Sequence, residues 1–106
     1  MNWQTASPAA LAAVQKIIDA VRKDTNYVPR EHKTIGGMWT VDTWKLDCVT
    51  LQLMDEGYTN VIIAGSVTVA MRYAGGQNEL SFEHGAEPAL IELARIVEIN
   101  EKARRQ

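Results

Sequence analysis

One cysteine and two histidines are present, so thiol chemistry in this chain can rest only on Cys48. His84 is its candidate base, with Asp47 or Glu83 to orient the imidazole. A metal site would need His32 and His84 together with carboxylates, but the two lie far apart without ligand spacing, so no metal ligand is assigned. Gly36-Gly37 and Gly75-Gly76 do not form phosphate loops, because neither belongs to a GxxxxGK[ST] run or opens a helix after a strand. They read as turns, and no cofactor is expected.

The Asp47-Cys48 pair in KLDCVTL resembles the aspartate-cysteine start of papain-like and cell-wall peptidases, over those two residues. The resemblance implies a nucleophilic cysteine at the head of a long helix, yet Gly57 follows only nine residues later and no His-Asp or His-Asn pattern lies downstream. The simpler reading is a strand cysteine acting as a small hydrophobe. We therefore read the chain as non-enzymatic.

Binding offers more material. Trp39, Trp44, Tyr58 and Tyr73 could wall a concave sheet pocket for a small molecule or anchor another protein, although core packing accounts for the same residues. Trp39 and Trp44 are five apart, on opposite parities of a continuous strand, so one of them faces outward. Arg22, Lys23, Arg30 and Lys33, interleaved with Tyr27 and His32, could touch phosphate, but so few charges give a shallow potential and read as a solvated connection. Glu79, Glu83, Glu87, Glu92, Glu98 and Glu101 likewise read as a solvated face, or as an acidic surface for a basic partner.

The bulk properties agree with a binding module. A chain of 106 residues is one domain (residues 1–106), able to bury about two-thirds of its unfolded surface. Its net charge of −2 and pI near 5.6 give no general attraction to nucleic acid or anionic lipid. A single cysteine excludes an internal disulfide framework and suits a reducing compartment. The N-terminus lacks the basic and apolar regions of a signal peptide, and no apolar run approaches the ~18 residues of a membrane span. A cytoplasmic protein is expected.

The elements that must position these residues begin with a helix. Ser7-Pro8 supplies an N-cap and a first helical position, and Leu11, Val14, Ile17, Ile18 and Val21 share one face to about Lys23. Met1 to Ala6 reads as a loose end in which only Trp3 could dock, and Asp24 to Lys33 as a loop. MWTV follows Gly36-Gly37 as a first strand. Thr43 to Glu56 could be a helix capped by Asp42 and ended by Gly57, but threonine, tryptophan and valine are poor helix fillers. In TWKLDCVTLQLM the apolar parity switches between Cys48 and Val49, which a β-bulge would produce, and two strands joined at the Asp55-Glu56-Gly57 turn are the preferred reading. Thr59 to Tyr73 alternates throughout and reads as one long strand bent at Gly65, with Ile62 suggesting cover on both faces of its first half. Glu79 to Glu83 makes a fourth strand, and a helix runs from Glu87 to the end.

The expected fold is α+β, an antiparallel meander of about four strands flanked by an N-terminal and a C-terminal helix in the order α-β-β-β-β-α. The last helix is apolar over more than half its circumference, and Leu90, Leu93, Ile96, Val97 and Ile99 are assigned as a protein-binding or dimer surface. The first helix could absorb that surplus instead. The functional expectation is a small acidic adaptor, inhibitor or chaperone-like homodimer that engages a protein partner; in size and charge it resembles small inhibitors encoded by phages and mobile elements. A small-molecule binder and a thiol enzyme are the alternatives.

Overall fold

A computed structural model describes residues 3–54, 58–63, 68–82 and 87–104. Helix α1 spans Pro8–Lys23 and α2 spans Glu87–Arg104. The strands are β1 (Gln4–Thr5), β2 (Glu31–Ile35), β3 (Trp39–Leu46), β4 (Val49–Met54), β5 (Tyr58–Ile63), β6 (Thr68–Ala74) and β7 (Gln77–Ser81). They form one antiparallel sheet of order β1-β7-β6-β5-β4-β3-β2. The helices flank a meander as expected, but the sheet has seven strands rather than about four.

Each extra strand has a physical cause. Gln4–Thr5, expected as a loose end, is held by β7, with Gln4 opposite Leu80 and Thr5 opposite Glu79. Glu31–Ile35, assigned mostly to a loop, pairs along its whole length with β3 and is exposed throughout, so no buried face imposes alternation on its sequence. The parity switch at Cys48 is a hairpin rather than a bulge: Leu46 faces Val49 across the two residues Asp47-Cys48, with Asp47 in the left-handed region at φ 54°. Thr59 to Tyr73 is two strands. Val61 faces Val69 and Thr59 faces Met71, so the odd residues of β5 and β6 share a face and the alternation continues across their connection. Gly65 and Asp55-Glu56-Gly57 lie outside the described residues.

Both helices serve one core. Ala10, Ala13, Val14, Ile17 and Val21 of α1 pack with Leu90, Ala94 and Val97 of α2, and with Trp44, Leu46, Val49, Leu51, Val61, Val69 and Leu80 of the sheet. The helices run parallel: the Ser7 hydroxyl at the head of α1 meets Glu87 at the head of α2, while Arg104 near the end of α2 reaches Asp24 at the end of α1. Arg104 also binds Asp47, tying α2 to the β3–β4 turn. Basic Arg22, Lys23, Lys102 and Arg104 occupy the last turns, where the two helix dipoles present their negative ends together.

Candidate functional site

The strand registers divide the sheet's side chains between two surfaces. Trp44, Leu46, Val49, Leu51, Val61, Val69 and Leu80 point to the helices and form the core. The alternate residues form the other surface, and no described helix packs there. An antiparallel sheet commonly leaves one face to water, and that face is then expected to be polar. Here one row is polar except at the buried Ala70, with Glu31, Thr43, Gln52, Asn60, Ala70 and Ser81 following one another across β2 to β7.

The neighbouring row has an apolar centre. Val41, which has Lys33 opposite it on β2, stands opposite Met54, and Met54 opposite Tyr58. Trp3 continues this belt: its ring meets Tyr58 edge-to-face at 5.7 Å between centroids, and the Arg72 guanidinium lies over it at 4.2 Å. Arg72 Nε in turn donates to Glu79 at 2.9 Å, so the aromatic end is held by an ion pair rather than left mobile. Beyond Val41, the turn at Gly36-Gly37 with its two positive φ angles presents Ile35, Met38 and Trp39, all exposed, with Met38 at 78%. This arrangement can bury aromatic and thioether groups against a second surface.

The sequence-assigned aromatics are not brought together. Trp39 faces outward at 47% exposure and Tyr58 lies in the open belt, whereas Trp44 is 2% exposed in the core and Tyr73 shares the helix-side parity of Val69 and Met71. The four do not wall one cup. Among the described residues, two surface hollows can be compared with that expectation, and neither contains an aromatic residue. One is a cleft between Arg30, Glu31, Thr43, Lys45, Thr50 and Gln52; the other is an open groove along α1 from Ala12 to Asp19, floored by Met71.

The proposed helix surface is likewise divided. Leu90 and Val97 are buried against the chain's own core and Leu93 packs partly on it, while Ile96 and Ile99 remain exposed. Among the polar candidates, Arg22 is sandwiched between Tyr27 and Trp44, with centroids at 5.3 and 5.2 Å. Lys23 pairs with Asp19 and Lys33 with Glu31, so the basic residues do not act as one patch. The acidic residues are also dispersed: Glu79 is taken by Arg72, Glu87 accepts from Ser7, Glu98 meets Lys102, and Glu101 is 2% exposed. The Glu92 carboxyl is held below its ordinary range by its hydrogen bond to Arg95, aided by the adjacent charge.

Cys48 is exposed in the β3–β4 turn, not buried in a strand, while His84 and Glu83 lie outside the described residues. His32 Nδ1 is hydrogen-bonded to Asp42 on the neighbouring strand. Among the described residues, no three His, Cys, Asp or Glu side chains could hold a metal ion, and no helix is long and apolar enough to cross a membrane.

Comparison with protein-family models, with curated proteins and with solved structures finds no match to this chain.

Val41 and Met54 were not singled out from sequence, and Trp3 was marked only as the one residue of a loose end that could dock. Tyr58, Asn60 and Ile62 alternate against Thr59, Val61 and Ile63, and that pattern marks two differently used faces in β5. Nothing local shows that Trp3 reaches Tyr58, because the contact depends on β1 joining the far edge of the sheet.

Proposed function

We propose that this chain is a small, non-enzymatic protein-binding module that docks a partner on the open face of its sheet and works as a homodimer. The apolar belt of Val41, Met54, Tyr58 and Trp3, continued by Trp39, carries the reading. Aromatic, methionine and arginine side chains are the types that dominate binding energy at protein interfaces. Trp3, Met54 and Tyr58 are half-buried around a buried Val41, while Ile35, Met38 and Trp39 at the end of the belt are exposed, and apolar surface of that kind on the face away from the helices calls for cover. Methionine adapts to an irregular partner surface, and Arg72 beneath Trp3 keeps one anchor preorganised.

A cytoplasmic setting fits the single exposed thiol of Cys48, which an oxidising compartment would drive into mixed disulfides. The acidic balance suits a partner with a basic rim around an apolar centre. The test is capture from host extract with wild type and with Met54→Gln, which alters the open face and leaves the helix-side core untouched. A stoichiometric protein retained by wild type and lost with Met54→Gln supports docking on this face. Equal capture by both proteins, or no captured protein at all, rejects it.

A further inference from the structure

The two edges of the sheet are treated differently. At one, β1 adds only two residues to β7; at the other, β2 pairs with β3 on its inner side and presents five consecutive exposed residues with no described strand on its outer side. Exposed edges are commonly blunted by charge, and Glu31, His32 and Lys33 accord with that device. Their order does more than repel. Pairing two copies of β2 antiparallel about Lys33 sets lysine against lysine, and pairing about Glu31 sets glutamate against glutamate. Pairing about His32 sets each Glu31 opposite a Lys33.

The same register covers apolar surface. Extended past the strand, it brings Pro29 opposite Ile35 of the other copy with Val28 alongside, and Val28 and Ile35 are 63% and 55% exposed in the single chain. On the helix side the two His32 rings meet at the axis, each held by its own Asp42. Charge and exposed apolar side chains thus select one pairing.

We propose that β2 is the homodimer edge, joining two copies of this chain antiparallel about His32 into one continuous fourteen-stranded sheet. Glu31 and Lys33, already 3.3 Å apart within one chain, then join their two counterparts in an alternating quartet on the open face. The docking belts of both copies come to lie on one surface, which presents a partner with two sites in fixed relation. A five-residue strand spans only about 17 Å, so the contact falls at the small end of specific interfaces and association depends on concentration. This inference rests on the reading of the chain as a homodimer.

Sedimentation velocity over a wide concentration range tests it, with circular dichroism confirming that each variant is folded. Wild type should dimerise reversibly. Glu31→Lys and Lys33→Glu each turn two opposite-charge pairs into two like-charge pairs, and each should raise the dissociation constant about tenfold. The double variant Glu31→Lys/Lys33→Glu should restore wild-type affinity. An equimolar mixture of the two single variants should form a heterodimer tighter than either homodimer. A wild-type dimer indifferent to both reversals overturns the β2 edge while leaving a homodimer through another surface. A protein monomeric at every concentration overturns both.

Discussion

The Ser7 hydroxyl joins the heads of two helices: it accepts from the Ala10 amide at 3.1 Å, closing the first turn of α1, and donates to Glu87 Oε1 at 3.0 Å. One side chain thereby sets the relative position of α1 and α2, whose buried faces share a core. Ser7→Ala removes both interactions. The expected loss is about 1–2 kcal/mol of unfolding free energy, measured by urea denaturation, with an unchanged m-value. Glu87→Ala should be non-additive with it, since the two substitutions delete one shared bond.

The two strand tryptophans should behave as opposites. Trp44 is buried beneath Arg22, and Trp44→Ala should cost about 3–5 kcal/mol through the cavity it leaves. Trp39 is half exposed at the hairpin, so Trp39→Ala should shift stability by about 0.5 kcal/mol or less. Thermal denaturation of the pair checks which tryptophan faces the helices. Equal losses would contradict the assignment of faces.

Cys48 should react with a disulfide reagent in the native protein to one thiol per chain, without denaturant, because the β3–β4 turn exposes it. Cys48→Ser should leave partner capture unchanged. Loss of function on that substitution would revive the thiol reading set aside on sequence grounds.

Glu92 and Arg95 form a fully exposed pair in which the hydrogen bond lowers the carboxyl's pKa. A carboxyl whose folded pKa is depressed adds stability above its unfolded pKa and loses it as pH falls through the folded value. Arg95→Ala should return the Glu92 titration to the ordinary glutamate range, followed by NMR of the side-chain carboxyl. The difference should shrink with added salt, since solvent screens the pair.

Both helices could be located from the sequence, because local chemistry sets their limits: Ser7-Pro8 starts α1 at Pro8, and Glu87 starts α2. The turns at Gly36-Gly37 and Gly75-Gly76 were equally legible, since all four glycines take positive φ. The strand count was not. β2 reads as a polar loop because every residue in it is exposed, and β1 exists only through its pairing with β7. β5 and β6 read as one strand because Val61 opposes Val69 and keeps the parity constant. For the site, opposite parity correctly implied that Trp39 and Trp44 part company. Assembly of the belt was illegible, because Val41, Met54, Tyr58 and Trp3 come from four segments aligned only by strand register.

The most direct test of docking on the open face uses methionine methyl groups as reporters. Met54 lies in the belt, whereas Met71 lies on the helix side beside the core. With [13C-methyl]methionine protein, titration with the captured partner should shift or broaden the Met54 resonance and leave Met71 in place. Movement of Met71 with Met54 unchanged would place the partner on the helical layer and contradict the open face as the binding surface.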